Sequence, residues 1–167
     1  MKTFVQQGGS DEMVVTALAP STSAGSVERG ATRLAIRIAQ GLAGRAPDRV
    51  LGADEVDSRV AIAGSDLLVV AAEASDGGIA PTLLEFLGGV DLRGSVAFLT
   101  VIGSWPEEAN TADRLIRPLL TGASVLCPAP TLHVVDAGSP AVAAYCRFWA
   151  PPVKALVLRA RTERSAA

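Results

Sequence analysis

Six consecutive residues, Leu67 to Ala72, are apolar without a break, and polar or turn-forming residues close the run on both sides. The run is too short for a buried helix. Because no polar residue alternates within it, both of its faces must meet apolar surroundings. A strand of this kind belongs in the middle of a parallel sheet that helices cover above and below. The rest of the chain therefore has to supply further strands, with crossover helices between them.

It does so in a regular rhythm. Met13–Ala19 is apolar and β-branched at its start, and it breaks into the turn formers and small hydroxyls of Pro20–Ser26. Glu28–Gly44 then carries Ala31, Leu34, Ala35, Ile38, Ala39 and Leu42 at helical spacing, with Arg33 and Arg37 on the opposite face. Arg49–Gly52 reads as a brief second strand and Asp54–Gly64 as a short helix or turn. The central strand runs into a loop, Glu73–Gly78, and Pro81 opens a helix through Leu87 that Gly88 and Gly89 close. Ser95–Ile102 is the clearest strand, broken by Gly103–Pro106. Ala109–Leu120 follows as a helix stopped by Gly122. Ser124–Leu126 and Leu132–Val135 form one edge-proximal strand split by Pro128 and Pro130. The last helix, Pro140–Arg161, is expected to bend or restart at Pro151–Pro152. The prediction is an α/β three-layer sandwich with a five-stranded parallel sheet in the order 2-1-3-4-5.

The length of 167 residues suits one domain, expected over 13–162, with a flexible lead at 1–12 and a tail at 163–167. Hydrophobic residues are 49% and aromatics only 4%, so the core must be built from Ala, Val, Leu and Ile. A net charge of −2 and a pI near 5.4 give no electrostatic footprint for nucleic acid. No stretch of about 18 apolar residues predicts a membrane span, and the polar start lacks the apolar segment of a signal peptide. Cytoplasmic location is the expectation. Cys127 and Cys146 lack metal spacing and read as small buried hydrophobes. No cluster of His, Cys and acids predicts a metal site. The single histidine, His133, lies among apolar residues and reads as a half-buried structural group.

Ligands of open α/β sheets bind beyond the carboxyl ends of the strands. Three loops sit there, Pro20–Ser26, Glu73–Gly78 and Gly103–Glu107, all rich in small or hydroxyl residues. Ser21, Thr22, Ser23 and Ser26 precede a helix whose first amides are unsatisfied, an arrangement suited to a phosphate monoester, and Arg29 adds charge nearby. The alternative is that one Ser caps the helix and the others face water. The second loop offers Glu73, Ser75, Asp76 and Gly77, with Glu73 either a ligand partner or a solvated acid. In the third, Gly103 and Ser104 lead to Trp105, which either stacks on a flat ring or anchors local packing. No nucleophile elbow or Ser-His-Asp set is present, so no catalytic side chain is assigned.

Leu83–Leu87, Leu92–Val96 with the strand to Gly103, and Asp113–Leu120 followed by Gly122–Val125 together resemble the NADPH-dependent FMN reductase family, in particular the reductases of two-component sulfonate monooxygenases. The likeness covers Met13 to Ala150. It implies a flavodoxin-like fold and the cofactors FMN and NADPH or NADH. It also implies a flavin-dependent oxygenase as partner and a homodimer or homotetramer. On this likeness Ser21, Thr22, Ser23 and Ser26 hold the FMN phosphate. Glu73, Ser75, Asp76 and Gly77 edge the ring, and Gly103, Ser104 and Trp105 form its opposite wall. The family's Gly-Ser-Pro-Arg and Pro-x-Tyr signatures are absent: Pro20–Ser26 keeps hydroxyls but no arginine, and Glu73-Ala74-Ser75 replaces the second motif. Two functions follow as expectations. One is an NAD(P)H-dependent FMN reductase feeding an oxygenase; the alternative is a non-catalytic homologue that binds a partner protein.

Overall fold

The computed structural model describes residues 12–22, 26–75 and 78–167, with only the backbone of 26–29. Its centre is β3 (Leu67–Ser75), whose first six residues are fully buried. β1 (Val15–Ala19) and β5 (Val96–Ile102) flank β3 in parallel, β2 (Arg49–Gly52) lies outside β1, and β6 (Leu132–Val134) lies outside β5. The order β2-β1-β3-β5-β6 is the predicted 2-1-3-4-5 arrangement, with one added strand, β4 (Gly78–Ile79), pairing antiparallel to the end of β3.

Alternation along the strands sorts the core into two layers. Val15, Ala17, Leu67, Val69, Ala71, Val96 and Phe98 face α1 (Ser26–Ala43) and α6 (Pro140–Ala166), meeting Leu34, Ile38, Val142, Cys146 and Val157. Leu18, Leu68, Val70, Ala72, Leu99 and Val101 face the other way. There they meet Ile62 just after α2 (Ser58–Ala61), Leu83 and Phe86 of α3 (Pro81–Gly88), Ala112 of α4 (Glu108–Leu115), and Leu120 of α5 (Arg117–Gly122). The period of two in every central strand thus produces three layers. Gly41 brings α1 and α6 together: a Cβ there would lie 2.5 Å from Cys146 Sγ.

Three local expectations need correction. The segment Glu73–Gly78 is not simply a loop: β3 continues to Ser75 and doubles back, with Ala74 opposite Ile79 and Ser75 opposite Gly78. The single helix over 109–120 is two, parted at Ile116, because Pro118 has no N–H to give the Arg114 carbonyl. α5 does end at Gly122, as expected. The left-handed residue that ends the turn is Ser124, at φ 59°. Finally, the last helix does not restart at Pro151 and Pro152: α6 runs through both. The carbonyls those prolines leave without donors belong to Arg147 and Phe148, both exposed residues, where solvent is at hand to take the place of the missing donors.

The proline-split strand stays in register with β5. Leu126 bridges to Val96, then β6 pairs with Thr100–Ile102 after the prolines. Arg117 holds the gap closed, donating to the carbonyls of Cys127 (3.4 Å) and Ala129 (2.9 Å) while paired with Asp113 at 2.8 Å.

Candidate functional site

The ends of β1, β3 and β5 lie side by side, so the loops that leave them share one edge roughly 10 Å across. That edge has two different halves.

The half after β1 is closed by the chain's own acids. The segment following β2 runs beside the β1 loop, with Ala53 N donating to Ala19 O (2.9 Å) and Asp54 N to Pro20 O (3.2 Å). This places two carboxylates against the hydroxyls expected to hold a phosphate. Ser21 Oγ donates to Asp54 Oδ2 at 2.7 Å, and the Thr22 hydroxyl donates to the Glu55 carboxylate. From α1, Thr32 Oγ1 donates to Ser21 O at 2.9 Å. The approach requires Gly52, where a Cβ would sit 2.7 Å from Asp54 Oδ1 and 3.0 Å from Thr22 N. A hydroxyl has one proton to donate, and here both protons go to carboxylates. Ser23 and the side chains of Ser26 and Arg29 lie outside the described residues. Beside Thr22, the arginines Arg33 and Arg37 line a hollow of ≈280 Å³, and Arg37 donates to Ala137 O.

The half after β3 and β5 is open. A cleft of ≈420 Å³ lies between the β3–β4 hairpin and α4, lined by Ala74, Gly78, Trp105, Glu107, Glu108 and Thr111. This is within the usual size of small-molecule sites, about 300–1,000 Å³. Trp105 is 68% exposed along one wall. Its loop is nonetheless fixed. Gly103 N donates to Val134 O (3.0 Å), extending the ladder past β5, and His133 Nε2 donates to Gly103 O at 2.9 Å. The Glu108 carboxylate accepts the Trp105 N–H at 3.2 Å and folds over Gly103, where a Cβ would collide with Oε2. The same oxygen stands 3.7 Å from His133 Nε2. Because Nε2 carries the hydrogen given to Gly103, His133 is a positioning group for this loop, and its position in the sheet is half-buried as expected.

The expected site residues divide accordingly. Ser21 and Thr22 adjoin the acids, Ser104 and Ser75 are exposed, and Glu73 pairs with Ile102 across the ladder. Asp76 and Gly77 lie outside the described residues. Four neighbours of the site were not anticipated: Asp54, Glu55, Glu108 and Thr111. For the first pair the signal was there, since they follow Gly52 at the carboxyl end of a strand. The cysteines offer no nucleophile, as burial pushes the Cys127 thiol up to about 11 and raises that of Cys146 as well. No group of three or more metal-ligating side chains occurs among the described residues. No described helix is long and apolar enough to cross a membrane.

The sheet order and the layers define a flavodoxin-like α/β protein. The chain superposes on the apo form of an NADH:FMN oxidoreductase, EmoB, with a TM-score of 0.64 at 17% identity, covering 83% of this chain and 87% of that one. An oxidoreductase from Corynebacterium diphtheriae gives 0.62 at 17% identity, covering 87% and 94%. A flavodoxin from Streptococcus pneumonia TIGR4 gives 0.61 at 16% identity, covering 84% and 96%. No protein-family model matches the chain, and no curated protein matches its sequence.

Proposed function

We propose that this chain is an NAD(P)H-dependent flavin reductase in which flavin is a diffusible substrate, held by its ring and passed on reduced to a partner oxygenase. The observation that carries the reading is Trp105, exposed on the wall of a cleft at the carboxyl edge of the sheet while its loop is fixed by Glu108 and His133. A rigid loop presenting a bare aromatic face is prepared to stack on a flat ring. Gly103, Ser104 and Trp105 would form one wall and Glu73, Ser75, Asp76 and Gly77 the other edge. The flavin, when bound, supplies the hydride-accepting chemistry. The chain's own residues orient the ring and exclude water on one face. No side-chain acid or base is assigned. The test is oxidation of NADH or NADPH by the folded protein with added flavin. Turnover well above the protein-free rate is expected, and turnover at that rate would overturn the reading.

A second reading has its own support. The Ser21 and Thr22 hydroxyls are given to Asp54 and Glu55, so among the described residues the phosphate half of an FMN site has its side-chain hydroxyls already engaged by acids. This favours a non-catalytic subunit that uses the same fold to bind a protein. Co-purification with a partner and no flavin binding in titration would select it.

A further inference from the structure

The misfit at the phosphate half has a more specific consequence if flavin is what the open half takes. We propose that the site selects non-phosphorylated flavin: riboflavin rather than FMN, with Asp54 and Glu55 as the specificity-determining residues. The inference rests on the flavin reading above.

A phosphate monoester is recognised by donors, that is, free amides, hydroxyl protons and cations. Beyond β1 the described side-chain donors closest to the strand end are the hydroxyls of Ser21 and Thr22, which lie beside the amides that open α1. Ser21 Oγ gives its proton to Asp54 at 2.7 Å, and the Thr22 hydroxyl gives its proton to Glu55. A dianion placed there would have to break both bonds and then stand beside two carboxylates. The backbone that carries the acids is held beside the loop by Asp54 N, tied to Pro20 O at 3.2 Å, and by Ala53 N, tied to Ala19 O at 2.9 Å. Gly52 adds to this, because its missing side chain is what admits the acids to their position. An uncharged ribityl chain meets none of this opposition: its hydroxyls can donate to the same carboxylates. The loop thus converts from an anion cradle to an acceptor surface for a polyol. Arg33 and Arg37 are the countervailing charges, since they line the hollow beside Thr22, but Arg37 already donates to Ala137 O.

The experiment is equilibrium titration of the full chain with riboflavin and with FMN, separately, read by quenching of flavin fluorescence. The two share one chromophore, so the readout does not depend on turnover. Riboflavin is expected to bind roughly tenfold or more tightly than FMN at low ionic strength, and added salt should narrow the gap. The double variant Asp54→Asn, Glu55→Gln, which keeps shape and acceptor oxygens, should bring the ratio close to one through tighter FMN binding. Circular dichroism checks that the variant is folded. FMN binding as tight as riboflavin binding overturns the proposal and leaves the flavin reading standing, as does FMN affinity that rises with added Mg²⁺ or falls in Arg33→Gln. Binding of neither flavin overturns both.

Discussion

The two ends of the sheet both carry carboxylates, but they use them differently. At the amino edge, Asp66 is 4% exposed and accepts the Val14 N–H at 2.8 Å and two nitrogens of Arg161 at 2.9 and 2.7 Å, with Arg164 at 3.7 Å. Asp48 accepts the Val15 N–H at 2.7 Å and Arg45 at 2.9 Å. Burial alone would raise the Asp66 carboxyl, yet the Arg161 guanidinium, the Val14 amide and the nearby positive charges outweigh it and hold it below the ordinary range. At the carboxyl edge, Asp54 and Glu55 are exposed and accept from neutral hydroxyls. One end is an anchor, where acids meet arginines and the starts of strands. The other arranges acids around a space, which is where α/β folds vary in function.

The largest effect expected is at the anchor. Asp66→Ala removes the acceptor of the Val14 amide and the carboxylate partner of Arg161, which keeps its bond to Glu12 O, and the loss of one partner of a buried pair costs about 3 kcal/mol or more. Urea unfolding should show it as a lower midpoint, with flavin titration unchanged if the two ends are independent. The pH dependence has a definite sign. A carboxyl whose folded value lies below its unfolded value of about 3.9 contributes stability that is full above that pH and lost as pH falls towards the folded value. The wild-type chain should therefore lose stability below about pH 4 more steeply than Asp66→Asn. A parallel loss would show that Asp66 is not the anchoring charge.

How much of this contrast could be read beforehand depends on the range of the forces involved. The strands at 67–72 and 95–102 and the helix at 28–44 were legible because periodicity records burial directly, and their sheet order followed from alternation. Pro151 and Pro152 misled because a helix tolerates proline when the orphaned carbonyls face water, and exposure is a tertiary property. The hairpin at Ala74–Ile79 was missed because two residues of pairing leave no pattern. At the site, the loops were placed by the strand-end rule, and Trp105 was correctly located in one of them. The strand-end rule also covers Asp54 and Glu55, which follow β2, but their pairing with Ser21 and Thr22, 33 residues earlier in the chain, depends on β1–β2 pairing and leaves no local pattern.

The next effect tests the open half. Trp105→Ala removes an exposed ring that stacks on nothing in the described core, so stability should change by less than about 0.5 kcal/mol. Flavin affinity should fall roughly tenfold, matching about 1.4 kcal/mol of lost stacking and burial. An unchanged affinity would place the ring elsewhere. Gly103→Ala should act on the same half less strongly. Its Cβ displaces the Glu108 carboxylate, a flexible group, so the cost is the loosened Trp105 amide: about 1 kcal/mol in stability and a few-fold in affinity. Unchanged tryptophan anisotropy in that variant, with the Trp149 contribution taken from Trp105→Ala, would show that Glu108 does not fix the loop.

The smallest effect sharpens the comparison most. Asp54→Asn combined with Glu55→Gln changes two charges at the carboxyl edge, against one at the amino edge in Asp66→Asn. If charge as such set stability, the double change would cost more. Both residues are exposed, their partners are hydroxyls, and either amide oxygen still accepts the same proton. The expected change in unfolding free energy is within about 0.5 kcal/mol, measured beside Asp66→Asn in the same denaturant series. A loss approaching that of Asp66→Asn would mean that Asp54 and Glu55 hold the β1 and β2 loops together as a structural clasp. In that event their position beside Ser21 and Thr22 would be a consequence of folding rather than a device for choosing a ligand.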